Sequence, residues 1–247
     1  ERVAMTILED VAQKEGKHQI KNEYWKSQNI SVKRFPLPVG DYVEMNEKIE
    51  DVIDRKRKRG IDLKKMDLLG TFDISVDTKE SLSELYQNLV QSHDRFRDEL
   101  KLAQNNGIQL YILVENKEGI DEIEKLSLWN NPRLFMWMRS LRKSFTEIQK
   151  KLYRHDNACA FLEKRDIPVP DDAGSVRIEY FKALKKVDID EIYTYMKKIG
   201  VKFKKRPVDN NSLINTIFTM QEKYGVKFIF CSPEEAGRIV IELLKNE

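Results

Sequence analysis

The almost continuously apolar run IQLYILVE, residues 108–115, narrows the choice of fold more than any other stretch of this sequence. Apolar residues in succession, rather than in alternation, are typical of a strand that is buried on both faces of a sheet. A second strand, FDISVDTK at residues 72–79, precedes it, and a long amphipathic segment lies between the two. Strand, helix and strand in this order favour parallel pairing, so we expect an α/β fold with helices covering a central sheet.

The segment between these strands predicts a single helix from Ser81 to Asn106. Its core-facing residues recur at every third or fourth position, and the sequence Asn105-Asn106-Gly107 then ends the helix. The stripe consists of Leu82, Leu85, Leu89, His93, Phe96, Leu100 and Ala103.

Both ends of the chain are expected to extend this sheet. MTILED at residues 5–10 and SVKRFPLPVGDYVEM at residues 31–45 predict two further strands. Near the other end, a helical stripe from Leu213 to Tyr224 stops at Gly225, and VKFIFC at residues 226–231 predicts a strand. Ser232 and Glu235 then form the pattern of a capping box at the start of a last helix.

Residues 120–205 differ in character from the rest of the chain. They form a Lys/Arg-rich, mostly helical stretch that contains many aromatic residues and is broken at IPVPDDAG, residues 167–174. We interpret this stretch as a helical insertion or subdomain whose aromatic residues belong to a core rather than to a base-stacking surface. The predicted organisation is therefore a first part of the main domain at 1–119, the insertion at 120–205 and a closing helix, strand and helix at 206–247.

The composition fits a globular protein with a heavily charged surface, because 40% of the 247 residues are hydrophobic and 34% are charged. No apolar run approaches the roughly 20 residues that cross a bilayer, and no secretory leader is recognised. We therefore expect an intracellular chain that does not bind a membrane. Cys159 and Cys231 match neither a zinc spacing nor a disulfide framework, and both are expected to be reduced thiols.

The net charge of +3 does not by itself indicate a nucleic-acid binder. Two local runs are more informative: RKRKR at residues 55–59 and KFKKR at residues 202–206. Such runs are either solvated surface or contacts to phosphate, and the sequence leaves both interpretations open.

Two acids and a lysine are the candidate catalytic and metal-binding residues of this sequence. Asp77 and Lys79 alternate at the end of the third strand and so point to the same face of the sheet. Asp41, after Gly40 at the end of the preceding predicted strand, is the natural second acid. Two carboxylates can hold a divalent ion that neutralises a phosphodiester and activates a water, and a lysine can stabilise the charge that develops on phosphorus.

Each of these residues also has a simpler interpretation. Asp41 could be a turn carboxylate, and Asp77 with Lys79 could be a surface ion pair. The order of the motifs favours the metal site, because Gly-Asp-Tyr, then Asp-x-Lys, then a long helix and a buried strand is a narrower pattern than any of its parts.

At these residues the sequence resembles the XPF-type (excision-repair cross-complementing group four) nuclease domain, a branch of the PD-(D/E)xK nucleases. The family signature is Gly-Asp, a variable gap, Glu-Arg-Lys, three residues and Asp. Gly40-Asp41-Tyr42 matches its first part, and Asp77-Thr78-Lys79 matches its second part with Asp for Glu and Thr for Arg. ILED at 7–10 resembles the first strand of the family and places Asp10 at its leading acid. SLINTIFTMQEKYG at 212–225 and FIFCSPEEAGRIVIELLK at 228–245 resemble its closing helix, strand and helix, so the resemblance covers roughly residues 5–118 and 207–247.

The resemblance implies a fold, an activity and a set of partners. The fold would be a restriction-endonuclease-like central mixed β-sheet flanked by helices, interrupted here by the helical insertion. The activity would be that of a Mg²⁺-dependent, or Mn²⁺-dependent, DNA endonuclease acting on branched DNA such as flaps, forks or junctions, in DNA repair or recombination. Compact phage or bacterial members are the most similar in layout, and family members form homodimers through their last helices.

The resemblance also assigns roles to residues. Asp41, Asp77 and the carbonyl of Thr78 would bind the metal, Lys79 would position the water, and Asp10 and Glu84 would support the site. The candidates for DNA contact lie in two groups. These are Arg55, Lys56, Arg57, Lys58 and Arg59 in the basic run, and His93 with Arg95 in the long helix. His93 has an alternative interpretation as a hydrogen-bonded core histidine.

Three departures from the family pattern leave competing hypotheses open. The arginine of the first motif falls at Ala12, the final aspartate falls at Ser83 beside Glu84, and Asp77 is shorter than the usual glutamate. The first two departures favour a catalytically inactive nuclease-fold module that binds DNA or a protein partner. A third hypothesis is an unrelated α/β protein in which Asp10, Asp41 and Asp77 lie far apart.

Overall fold

The computed structural model describes residues 5–14, 16 and 18–246. The chain divides into two compact units. The sheet unit consists of Glu1–Trp129 with Asp209–Glu247, and the helical unit consists of Asn130–Val208. The helical unit is narrower at its start than the insertion predicted at 120–205, because the short 3-10 helix Glu124–Leu128 packs within the sheet unit against the helix that begins at Asn210.

The sheet unit is built on one mixed sheet, which has six strands within the described residues. The strands are β1 (Thr6–Asp10), β2 (Ser31–Phe35), β3 (Tyr42–Glu44), β4 (Ile74–Lys79), β5 (Gln109–Glu115) and β6 (Lys227–Cys231). Their order in the sheet is β2-β1-β3-β4-β5-β6. β3 is antiparallel to both of its neighbours, and all other pairs are parallel. The predicted α/β fold with a mixed central sheet is confirmed.

The single strand predicted for residues 31–45 is wrong. The structure divides it into β2 and β3, which lie on opposite sides of β1. The connection contains Pro36 and Pro38, which lack the N–H that a ladder requires, and Gly40 at φ +69°, where glycine is the favoured residue. Asp41 therefore precedes β3 instead of ending a strand. Because β3 runs against β1 and β4, its start still lies at the edge where those two strands end.

Helices cover both faces of the sheet. They are α1 (Gln19–Ser27), α2 (Glu47–Lys58), α3 (Leu82–Val90), α4 (His93–Asn105), α9 (Asn210–Tyr224) and α10 (Ala236–Lys245). On one face α1 and α10 pack closely, since Trp25 Nε1 donates to the Gly237 carbonyl at 2.8 Å. On the other face α4 contacts the sheet through Phe96, whose ring lies 6.5 Å from that of Phe228.

The single helix predicted from Ser81 to Asn106 is also wrong, because it is broken into α3 and α4. The amide of Ser92 donates to the Gln87 carbonyl, five residues back, at 2.9 Å, and this wide turn ends α3. Ser92 at the break favours a cap or turn over a helix interior, because its hydroxyl competes for backbone hydrogen bonds. The break moves His93 out of the core stripe, and its side chain is 45% exposed at the start of α4.

The helical unit has its own core. Its helices are α5 (Pro132–Lys151), α6 (His155–Glu163), α7 (Ala173–Leu184) and α8 (Ile189–Lys198). Most of its aromatic residues pack in or against this core, including Trp137, Phe145 and Tyr180, whereas Phe135 is exposed. Within the described part of the chain, no helix is both long enough and apolar enough to cross a membrane.

Candidate metal and nucleic-acid site

A cavity of about 640 Å³ opens at the edge of the sheet where β1 and β4 end and β3 begins. Backbone hydrogen bonds join the three strands there: Asp41 N donates to the Val76 carbonyl at 2.9 Å, and Asp10 N donates to the Asp41 carbonyl at 2.8 Å. The predicted site residues that line the cavity are Asp10, Asp41, Asp77, Thr78, Lys79, Glu84 and Arg95.

Asp41 is buried and held by three donors. Its Oδ2 accepts from the amide of Thr78 at 2.7 Å and from the Thr78 hydroxyl at 2.8 Å. Its Oδ1 accepts from the side-chain amide of Gln13. A carboxylate oxygen can accept about two hydrogen bonds, so Oδ2 is fully used, whereas Oδ1 keeps a lone pair for a further ligand.

Asp77 and Lys79 form a buried ion pair, with Lys79 Nζ 2.5 Å from Asp77 Oδ2. The Lys79 ammonium also lies 5.6 Å from the centre of the Phe96 ring. Among the described residues, Asp77 Oδ2 has no hydrogen-bond partner of normal geometry, so this contact is an ion pair without a well-formed hydrogen bond. A buried oxygen in this state has unused capacity to bind a cation.

The protonation of the pair follows from its surroundings. Burial raises the pKa of Asp77 well above its usual value; Lys79 opposes this increase, and the charges of Asp41 and Glu99 add to it. Burial lowers the pKa of Lys79, but the negative charges of Asp77 and Asp41 outweigh this effect and raise it overall. Lys79 is therefore a cation at neutral pH, whereas Asp77 ionises more easily once a second cation is close.

The donor set fits Mg²⁺ or Mn²⁺ as a partly hydrated ion. In the part of the chain that the structure describes, no three His, Cys, Asp or Glu side chains are arranged to hold a metal. Mg²⁺ usually keeps several waters and is bound through only one or two carboxylates, which matches Asp41 Oδ1 and Asp77 Oδ2. Thr78 is observed as a donor to Asp41, and its role as a carbonyl ligand stays a prediction.

Asp10 and Glu84 border the cavity but hold local structure. Asp10 Oδ1 accepts from the amide of Leu37 at 3.1 Å and so fixes the connection between β2 and β3. Glu84 Oε2 accepts from the amide of Glu80 at 2.8 Å, at the start of α3. Both carboxylates face the cavity without approaching closely enough to Asp41 and Asp77 to form a ligand cluster.

Glu99 is a cavity residue that the sequence did not reveal. Its Oε1 accepts from the amide of Gly40 at 2.9 Å, immediately before Asp41. It lies on α4 one turn after Arg95, and both residues flank the core stripe at a spacing of four. Residues four positions apart lie on the same side of a helix. The spacing of Arg95 and Glu99, next to the core residue Phe96, is therefore the sequence signal that could have identified them as facing the same cavity.

Gln13 is a further part of the site that the sequence did not reveal, and His18 holds it in place. His18 is buried, and its Nε2 lies 2.8 Å from Gln13 Oε1, while its Nδ1 lies 3.5 Å from Glu80 Oε1. Because Gln13 Oε1 can only accept, His18 Nε2 must donate, and the amide nitrogen of Gln13 is left facing Asp41. His18 thus donates to Gln13, and Gln13 donates in turn to Asp41 Oδ1.

The predicted DNA-contact residues are placed in different parts of the sheet unit. Residues 55–59 lie at the end of α2 and do not line the cavity, but Lys56 pairs at 2.9 Å with Asp67 of the 3-10 helix Lys65–Leu68. Lys65 of that helix does line the cavity. Arg95 lines the cavity as well, whereas His93 borders a separate groove against α9. His93 and Arg95 therefore do not line the same cavity, although both lie on α4.

The chain was also compared with known proteins. No protein-family model matches it, and no curated protein sequence matches it. Among solved structures it is similar to XPF from Aeropyrum pernix and to XPF from Aeropyrum pernix in complex with DNA, each with a TM-score of 0.42 and 12% sequence identity. Each comparison covers 98% of this chain and 64% of the XPF chain, so this chain spans a little less than two thirds of their length.

Proposed function

We propose that this chain is a divalent-metal-dependent DNA endonuclease. The observation that supports the proposal is the convergence of Asp41 and Asp77 from neighbouring strands onto one cavity, with Lys79 on the same wall. A bound Mg²⁺ or Mn²⁺ would neutralise the scissile phosphate and lower the pKa of a coordinated water.

The protein side chains then have distinct tasks. Asp41 presents Oδ1 in a fixed direction, because Thr78 and Gln13 hold its carboxylate. Asp77 would supply the second ligand oxygen, and a bound cation would favour its ionised form. Lys79 is cationic, so its task is to orient the attacking water and to stabilise the negative charge on the phosphoryl oxygens, not to remove a proton.

The substrate class comes from the resemblance of Gly40-Asp41-Tyr42 and Asp77-Thr78-Lys79 to the XPF-type domain. On that basis the chain would cleave branched DNA, such as flaps, forks and four-way junctions, in repair or recombination. The same resemblance supports a homodimer through α9 and α10, whose residues Ile214 and Ile239 are only partly buried.

Cleavage assays test this function. Purified protein with Mg²⁺ or Mn²⁺ should cut flap, fork or four-way junction DNA, and Asp41→Ala and Asp77→Ala should each reduce the rate by at least about 100-fold, as expected for loss of a metal ligand. Asp73→Ala is the matched control, because Asp73 is exposed just before β4 and outside the cavity. Intact substrates, or unchanged cleavage by Asp77→Ala, would refute the proposal.

A catalytically inactive module is the second candidate. Ala12 in place of the family arginine and the absence of a three-carboxylate cluster in the described residues favour it. Calorimetric titration with Mn²⁺ separates the two functions. An active site binds Mn²⁺ in a manner abolished by Asp77→Ala, whereas a degenerate site gives the same heats with and without that substitution.

A further inference from the structure

The two units carry opposite net charge. The helical unit contains 19 Lys and Arg against 10 Asp and Glu, a formal charge of +9. The whole chain contains 44 Lys and Arg and 41 Asp and Glu. The sheet unit therefore contains 25 Lys and Arg against 31 Asp and Glu, a formal charge of −6. The candidate active site thus lies in a unit that repels a phosphodiester backbone, and the small total of +3 conceals a strongly basic helical unit.

The basic charge of the helical unit is densest in one segment. Residues 197–206, KKIGVKFKKR, contain six lysines and arginines and no acid. Val201 and Phe203 pack against the core of the unit, while Lys202, Lys204 and Lys205 are exposed. This alternation presents the lysines to solvent on a backbone that is anchored by its apolar residues.

Hydrogen bonds and aromatic contacts fix both ends of the segment. Trp137 Nε1 donates to the Lys204 carbonyl at 3.1 Å, and the Arg206 guanidinium lies 5.7 Å from the centre of the Trp137 ring. At the other end, Lys197 Nζ lies 5.2 Å from the centre of the Tyr193 ring, which itself packs on Trp137 at 5.4 Å. The segment is therefore a positioned surface of the unit.

The exposed lysines of this segment lack an acidic partner in the part of the chain that the structure describes. At the end of the segment, Arg206 pairs with Asp190. Within the described residues, Lys198, Lys202, Lys204 and Lys205 form no ion pair. Unpaired lysines on a fixed surface keep their full charge for a polyanion, and counterion release then favours binding.

We propose that residues 197–206 form a docking surface for the phosphate backbone of duplex DNA. The choice of DNA as the polyanion rests on the proposed nuclease function, whereas the surface itself rests on the charge and the contacts above. Lysines recognise phosphate as point charges and read no base sequence. The surface accordingly holds DNA in a sequence-independent manner, which offsets the repulsion by the acidic sheet unit. An anionic membrane is a poorer fit, because Ile199 is the one large apolar side chain exposed within the segment.

Binding without cleavage tests this surface. Fluorescence anisotropy with a labelled blunt duplex in EDTA compares the full chain with the triple variant K202Q/K204Q/K205Q. The matched control is K33Q/K48Q/K117Q, which removes the same charge from exposed positions of the sheet unit. The surface variant should bind at least about tenfold more weakly. The slope of its plot of log K against log salt should be smaller in magnitude by about 2 to 3, because each of the three lost phosphate contacts contributes about 0.9 to that slope. The control should bind within about twofold of the parent.

Several outcomes would overturn the inference. They are equal weakening by both triples, no weakening by the surface triple, and binding to phosphatidylserine vesicles without binding to duplex DNA. Failure of the proposed function is separate from these. If the chain binds DNA through this surface but cleaves nothing, the nuclease proposal fails and the surface stands; if it cleaves and the surface triple binds normally, the surface fails alone.

Discussion

Asp41 illustrates how much of this site depends on single hydrogen bonds. Thr78 and Gln13 fill three of its acceptor positions and leave one lone pair of Oδ1 unused, in a residue that lines the cavity. The sequence could predict that Asp41, Asp77 and Lys79 meet, because strand alternation and the Gly-Asp and Asp-x-Lys motifs specify it. It could not predict Gln13, because residues 11–18 have no periodicity and the role of Gln13 depends on His18 fixing its amide.

Gln13→Ala tests that arrangement. Removal of the amide frees Asp41 Oδ1 to rotate, so the apparent affinity for Mn²⁺ should fall by about 10–100-fold, as for other residues that orient a metal ligand. The maximal cleavage rate at saturating Mn²⁺ should change little, because the ligands themselves remain. Gln28→Ala is the control, since Gln28 is exposed, lies outside the cavity and donates its side-chain amide to the Ser27 hydroxyl. A lower maximal rate with unchanged metal affinity would contradict the positioning role.

Asp77 should make the metal-free protein sensitive to pH. Burial raises its pKa in the folded state above the unfolded value of about 3.9. The corresponding stability is therefore complete below that value and is lost as the pH rises through the folded pKa. Asp77→Asn does not ionise and escapes this loss, so in EDTA its melting temperature relative to the parent should rise between pH 5 and pH 8, by about 2–4 °C for each 1 kcal/mol. Asp73→Asn should show no such trend, and a relative melting temperature for Asp77→Asn that falls between pH 5 and pH 8 would contradict the direction of the shift.

The strands and helices around the site were predicted unevenly. β5 was identified because a buried parallel strand has an almost continuous apolar run, and β4 was identified because it precedes the amphipathic segment in a strand, helix and strand order. The division of residues 31–45 into β2 and β3 was missed, because Val39 and Val43 continue the alternation across the turn at Gly40. The break between α3 and α4 was missed because the apolar stripe continues through it, from Leu89 to Phe96.

Gly40→Ala tests the turn that delivers Asp41 to the edge of the sheet. Gly40 has φ +69°, and a Cβ there would overlap Ser75 Oγ and lie 3.2 Å from the Val76 carbonyl. Gly107 has the same φ with nothing within 4 Å, so Gly107→Ala measures the backbone cost alone, about 1–2 kcal/mol. Gly40→Ala should cost about 1–3 kcal/mol more in the free energy of unfolding, because the buried Ser75 must move. Equal losses for the two variants in urea unfolding would show that Gly40 is not closely packed.

The chain as a whole combines an acidic sheet unit with a basic helical unit, and its chemistry is predicted to reside in the first. The sheet unit is interrupted after Trp129 and resumes at Asp209. These two positions are close in space, since Asn210 Nδ2 donates to the Trp129 carbonyl at 2.7 Å. The two cut ends of the sheet unit therefore lie next to each other. The charge runs in the sequence left solvated surface and phosphate contact both open, and they could not show which run is held in place.

Excision of the helical unit follows from that geometry. Replacing residues 130–208 with a linker of about four Gly and Ser residues should leave the sheet unit folded, because such a loop has little closure cost. Circular dichroism should show a cooperative unfolding transition, and calorimetry should show Mn²⁺ binding that Asp77→Ala abolishes. Duplex binding should be largely lost. An unfolded product would show that the sheet unit requires the helical unit for stability.

Diffraction from crystals soaked in Mn²⁺, recorded for anomalous scattering, examines the shared metal site itself. The expected result is one strong anomalous peak in the cavity at the ends of β1 and β4, about 2.0–2.3 Å from an oxygen of Asp41 and from an oxygen of Asp77. The remaining ligands should be mostly waters, and the peak should vanish in Asp77→Ala. A cavity without a peak, or a peak bound by only one of the two aspartates, would contradict the proposed metal centre.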